Sequence, residues 1–308
     1  MKRLSVSAVA VLFMVAACGG DAETTTTTEA VTTTSTTTQP TTTPTAPTTT
    51  TTAATTTTTA SEADDAGVVV YFMVDAVSEG IPGPNLVPVW RETSTTDPET
   101  AVATLLAGPS EDEANGIPRI STGIPLGTEL LDLTVAGGIA TIDLSDAYDD
   151  GGGSFGMFAR LAQVVYTLTR YPEIDSVEFA IEGDPVEIFS AEGIVLDDPQ
   201  VRLDYTDMLP AIFVDHPAWG KEVESPFVMT GISNVFEAVF QVMLTDDDGL
   251  PLFEETAMAD CGTGCWGDFE VEISYEVDRD QFGALIVWEA SARDGSPVNV
   301  REYPVQLR

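Results

Sequence analysis

The hydrophobic period changes twice along this chain, and each change predicts a different kind of structure. Residues 22–60 are chiefly Thr with scattered Pro and Ala; without an apolar period, nothing there offsets the entropy of ordering a backbone. At Gly67 the pattern turns apolar. Val68 to Val74 reads as a strand, and Leu86 to Arg91 as a second whose Pro88 suits a sheet edge. Asp97 as cap and Pro98 in the first turn open a helix; Ala101, Val102, Leu105 and Leu106 share its apolar face, and Gly108-Pro109 stops it. Leu130 to Val135 and Ile139 to Leu144 flank Gly137-Gly138 as a hairpin. Beyond a loop expected to be flexible, Asp149 to Gly153, the residues Phe158, Leu161, Val165 and Leu168 recur at helical spacing until Pro172, and Val177 to Ile181 adds a strand. The order β, β, α, β, β, α, β predicts an α+β domain, a mixed sheet with two helices covering one face.

Past Tyr205 the helical period disappears. Ala211–Val214, Phe227–Thr230, Phe236–Thr245, Leu250–Phe253, Asp268–Val277, Ala284–Ala290 and Val298–Leu307 read as strands. Phe269, Val271, Ile273 and Tyr275 alternate with Glu270, Glu272, Ser274 and Glu276, the pattern of a strand with one face in a core. A small all-β sandwich of immunoglobulin type is expected.

The N-terminal residues carry a different signal. Lys2 and Arg3 precede the apolar run Val9 to Val15, and Ala16-Ala17 precede Cys18, the layout of a secretory signal peptide. Val15-Ala16-Ala17-Cys18 resembles a bacterial lipobox, in which the cysteine thiol takes a diacylglycerol and becomes the new N-terminus. The apolar run is shorter than the roughly 20 residues a helix needs to span a bilayer. The expectation is therefore a lipid anchor at Cys18 on the outer face of the cell membrane. Residues 19–66 form a spacer that reaches at most roughly 150 Å when extended.

Charge narrows the partners. Lys+Arg 12 against Asp+Glu 50 gives a formal net charge of -38, which repels phosphate backbones and excludes nucleic acid. Apart from Cys18, the cysteines are Cys261 and Cys265, separated by Gly262-Thr263-Gly264. An oxidising exterior favours a small disulfide-closed loop; zinc is the rival reading, and its further ligands are wanting because the lone histidine, His216, is remote in sequence.

Other patterns invite chemistry. Gly152-Gly153-Ser154-Phe155-Gly156 has the Gly-x-Ser-x-Gly spacing of a hydrolase elbow, but that turn follows a strand, whereas an Asp/Gly-rich loop precedes Ser154. Ser154 is expected to cap the following helix, and the competing reading is an ester or cell-wall hydrolase using Ser154 with His216. Asp246-Asp247-Asp248-Gly249 suggests calcium, with Glu255 at the bidentate position, yet the first ligand would be Leu244, so a hairpin turn is expected. Trp90, Trp219, Trp266 and Trp288 are candidates for stacking on sugars as well as for ordinary packing, and Trp266, beside the cysteine loop, is expected to be the exposed one. No cofactor, metal or catalytic residue is assigned.

The first folded region resembles the GerMN domain, named after a sporulation and spore-germination protein. The matching residues are Val69-Val70-Tyr71-Phe72, Leu105-Leu106-Ala107-Gly108-Pro109-Ser110, Ile124-Pro125-Leu126-Gly127-Thr128, Ala140-Thr141-Ile142-Asp143-Leu144-Ser145 and Val165-Tyr166-Thr167-Leu168-Thr169. The second region is similar to the immunoglobulin-like domain found after GerMN in such proteins, through Glu224 to Gly231, Phe236-Glu237-Ala238 and Asp294-Gly295-Ser296. The residue layout and composition give a signal peptide at 1–17 and a disordered stalk at 18–66, and the resemblance implies a GerMN domain at 67–205 similar to ring-building modules, followed by a sandwich at 206–308. It further implies a non-enzymatic envelope lipoprotein that touches the membrane through its anchor. Its expected partner is an envelope protein or peptidoglycan, with room for a homo-oligomeric scaffold.

Overall fold

Residue placements come from a computed structural model that describes residues 66–75, 84–190 and 193–308; the signal segment, Cys18 and the threonine stalk lie outside the described residues. Strand β1 (Gly67–Val74) is apolar on both faces because it is covered on both. It sits between β2 (Asn85–Glu92) and the short β3 (Ile120–Ser121) in a three-stranded sheet. Helices α1 (Pro98–Ala107) and α3 (Ser154–Leu168) both pack against β1. Asp97 caps α1 by accepting from the Thr100 N–H at 2.8 Å, and Gly108 ends the helix at a φ of +79°. Between them a short polar helix, α2 (Glu111–Asn115), starts from a reciprocal cap in which Ser110 and Glu113 bond each other's backbone N–H.

The expected hairpin is present as β4 (Leu130–Ala136) and β5 (Ile139–Leu144). Gly137 and Gly138 both have positive φ, the requirement of the tight turn that follows strand twist. From β5, α3 crosses over to β6 (Ser176–Ile181), which pairs parallel to β5. Strand β7 (Asp184–Pro185) completes the order β4-β5-β6-β7, and β8 (Ile188–Phe189) pairs with β9 (Ile194–Val195). The strands thus fall into separate sheets, the larger of them mixed.

A 3-10 segment, Arg202–Met208, leads into the second region. There β10 (Ile212–His216), β12 (Phe227–Ser233) and β15 (Gly267–Ile273) form one sheet. The other sheet has the order β11 (Glu222–Val223), β17 (Pro297–Leu307), β16 (Gln281–Ala290), β13 (Val239–Thr245), β14 (Pro251–Met258). Their inner faces meet at Phe240 and Phe269, whose ring centres are 4.8 Å apart. This is the immunoglobulin-like half, and burial alternates without a break along β15.

Several details differ from the sequence-based expectation. Gly153, not Ser154, is the N-cap of α3: its carbonyl accepts from the Met157 N–H at 3.1 Å, and Ser154 is the first helical residue. Phe236–Ala238 is a 3-10 turn rather than strand, because Glu237 and Ala238 take positive φ to let the chain turn under the cysteine loop. The Asp149–Gly153 loop is tied down: Arg160, 2 % exposed, donates to the carbonyls of Tyr148, Asp150 and Gly151. Trp266 is half-buried and packs on the core.

Candidate functional site

The sequence offers few cations, and the structure spends two of them in one place. Asp215, near the end of β10, receives Arg170 Nη1 at 3.1 Å and Arg202 Nη1 at 3.0 Å. Arg170 comes just after Thr169, the C-cap of α3, and Arg202 opens the 3-10 segment. The Tyr71 hydroxyl, from the middle of β1, donates to the Asp215 carboxylate and accepts from Arg170 at 3.3 Å and Arg202 at 3.2 Å. Arg202 also lies over the rings of Tyr166 and Tyr71, 4.7 and 5.4 Å from their centres. One carboxylate of the second region thus closes a network of three side chains from the first.

The electrostatics follow from this geometry. Burial raises the Tyr71 phenol above its ordinary value, so it remains a proton donor. Burial also works against ionisation of Asp215, but Arg202 and Arg170 outweigh it and hold the carboxyl below its usual range. The group is an anion at neutral pH, matched by two cations.

Two further contacts close the same seam. Trp219 bonds along the backbone to β2, its N–H donating to Pro88 O at 2.9 Å and its carbonyl accepting from Trp90 N at 3.0 Å. Lys221 lies 5.0 Å from the centre of the Trp90 ring. On the other side Arg301, buried in β17, donates to Asn85 Oδ1, while Asn85 Nδ2 donates to Leu209 O at 3.3 Å.

Clefts open beside these contacts. One of about 560 Å³ is bounded by Tyr166, Arg202, Leu203 and Phe213 together with Asp268 and Glu270. Another of about 300 Å³ lies between the 3-10 segment, Asn234 and Trp266.

The residues singled out from sequence are dispersed. Ser154 is exposed at the start of α3, while His216 adjoins the Asp215 network beyond the other end of that helix, which is roughly 20 Å long. The elbow spacing therefore does not bring serine and histidine together. Cys261 and Cys265 are joined as a disulfide with Cα atoms 5.9 Å apart. Asp246 to Gly249 form the β13–β14 turn, where Asp246 Oδ1 accepts from the N–H groups of Asp248 at 3.0 Å and Leu250 at 2.7 Å. Among the described residues no three His, Cys, Asp or Glu side chains form a group able to hold a metal, and no helix is long and apolar enough to cross a membrane. The seam residues were not singled out from sequence, although arginines so scarce in an acidic chain were a signal worth following: Arg170 and Arg202 share one carboxylate.

Comparison with known proteins bears on both halves. Residues 69–187 match the family model described as "Germane: Sporulation and spore germination". Residues 211–296 match "Gmad2: Immunoglobulin-like domain of bacterial spore germination". Among solved structures, the first GerMN domain of the sporulation protein GerM from Bacillus subtilis is similar at 17% identity, covering 45% of this chain and 98% of that one, with a TM-score of 0.37. A putative lipoprotein from Clostridium perfringens is similar at 17% identity, covering 47% of this chain and 93% of that one, with a TM-score of 0.32. The tandem GerMN domains of GerM give 12% identity, 68% and 62% coverage, and a TM-score of 0.37. No curated protein sequence matches.

Proposed function

From a chain that carries a sporulation and spore-germination domain of the GerMN kind followed by an immunoglobulin-like domain of bacterial spore germination, we propose a binding or assembly module of the cell envelope rather than an enzyme. In this reading Cys18 holds the protein to the outer face of the cell membrane, and the threonine stalk stands the folded part off into the wall. Its partner there is an envelope protein or a cell-wall polymer.

The observation that carries the reading is the seam. Two modules of different fold are locked through Asp215, with clefts left open on both sides, while the residues of the elbow motif and the lone histidine stand at opposite ends of α3. A rigid pair with recessed surfaces suits recognition, because little ordering entropy is lost on binding.

Crosslinking of the full chain in intact cells, followed by identification of what it touches, tests the proposal. Capture of an envelope protein or wall fragment without turnover is expected. Ester or wall hydrolysis that disappears in Ser154→Ala would replace this reading with the hydrolase. Palmitate incorporation lost in Cys18→Ala is expected for the anchor, and equal labelling of both proteins would remove it.

A further inference from the structure

The cleft of about 300 Å³ beside Trp266 has a composition that the seam does not require. Its volume lies at the lower end of small-ligand pockets, roughly 300–1,000 Å³. Trp266 supplies an aromatic wall, and Asn234, Asn299, Thr206 and Asp207 supply short polar groups around it. The wall is held in place from several directions. The disulfide ends one residue before Trp266, the Thr263 N–H donates to Val235 O at 2.8 Å, and the Gly264 N–H donates to Asn234 Oδ1 at 2.9 Å. A Cβ on Gly262 would fall 2.3 Å from Ala238 N, so only glycine lets this loop close onto the turn beneath it.

The amides are half-used. Asn234 Oδ1 is taken by Gly264, and Asn299 Nδ2 donates to Glu289 Oε2 at 2.9 Å. Among the described residues, Asn234 Nδ2 and Asn299 Oδ1 have no hydrogen-bond partner, which leaves a donor and an acceptor at the cleft lining. Different ligand classes meet this surface differently. An apolar ligand would strip water from those amides and from Thr206 without replacing its bonds. An anion would meet Asp207 in a chain of net charge -38, and the cleft's cation, Arg301, already donates to Asn85. A metal ion finds a single carboxylate among the lining residues. A pyranose ring, with one C–H face and a rim of hydroxyls, satisfies both the indole and the amides.

We infer that this cleft is a binding site for a neutral pyranose, a hexose or N-acetylhexosamine unit stacked on Trp266 and hydrogen-bonded by Asn234, Asn299, Thr206 and Asp207. The inference rests on the binding-module reading and names its ligand class. The sugar comes either from the wall glycan or from a free oligosaccharide.

The test titrates the full chain with N-acetylglucosamine trimer and with maltotriose by calorimetry, and in parallel sediments it with purified peptidoglycan sacculi. Saturable binding of at least one probe is expected, with Kd raised about tenfold in Trp266→Ala, the scale of one lost stacking contact, and partly restored in Trp266→Phe. Asp207→Ala, an exposed change that does not depend on the core, is expected to weaken binding about threefold, so the site remains testable if Trp266→Ala unfolds. Trimer binding with sedimentation points to the wall glycan, and trimer or maltotriose binding without sedimentation to a free oligosaccharide; both support the site. Sedimentation unchanged in Trp266→Ala and Asp207→Ala overturns it while leaving the module reading intact. Absence of binding to all three probes, beside an envelope protein captured in cells, likewise overturns the sugar site alone.

Discussion

The hydroxyl of Tyr71, in the first described strand, donates its proton to the carboxylate of Asp215, 144 positions further on and in the other module. That single acceptor also neutralises Arg170 and Arg202, so its removal strands two cations whose side chains are only 27–28 % exposed.

Asp215→Asn is therefore expected to destabilise the protein by about 3 kcal/mol, since breaking one partner of a largely buried ion pair leaves the rest uncompensated. Urea denaturation at neutral pH measures it. A loss under about 1 kcal/mol would mean that water reaches the arginines and that the seam is held by packing alone.

Acid should erase the same difference. The folded-state pKa of Asp215 is depressed, so its contribution is present above the ordinary aspartate value near 4 and disappears as pH falls through the lower folded value. The stability gap between wild type and Asp215→Asn is expected to hold from neutrality to about pH 5 and to narrow below about pH 4. A gap constant down to about pH 3 would contradict the assignment of the charge to this residue.

Arg160 makes the glycine loop before α3 part of the fold. Arg160→Met keeps the aliphatic stem but leaves the carbonyls of Tyr148, Asp150 and Gly151 without their donor, at an expected cost of about 2 kcal/mol. Amide exchange at Asp149 to Gly153 should accelerate more than elsewhere in the protein. Uniform acceleration would show that the arginine acts on global stability only.

Two glycines should respond in opposite directions to alanine. A Cβ on Gly231 would lie 2.0 Å from Phe213 O and 2.7 Å from Phe269 Cζ, between neighbouring strands, so Gly231→Ala is expected to cost about 3 kcal/mol or more. Gly156 lies within α3 with nothing inside 4 Å, and Gly156→Ala should stabilise by about 0.5–1 kcal/mol. Thermal melts of the pair decide both. A destabilised Gly156→Ala would indicate that the last glycine of the elbow motif has a role outside the helix.

What was legible from sequence was what is local and periodic. Asp97-Pro98, the Phe158 to Leu168 stripe, the Gly137-Gly138 turn and the alternation of β15 each announce an element within a few residues, and each element is present. Strands of two residues, such as β7, β8, β9 and β11, are too short to carry a period. Helix α2 has a single apolar residue, Ala114, and no buried face, so its one signal was the Ser110…Glu113 spacing. The Asp215 network lay beyond any window because its members are brought together by tertiary packing. Arg160 had a subtler mark: the one charge in a helix of which 11 of 15 residues turn out to be buried.

Trp219 sits backbone to backbone against Pro88 and Trp90, on the outer side of β2. The chain thereby occupies, with its own later residues, a ladder position that a freestanding strand pair would offer to any passing peptide. Severing the polypeptide at residue 205 would vacate that position, so the liberated N-terminal fragment should become sticky and self-templating, and the missing half added in trans should return it to a single dispersed species.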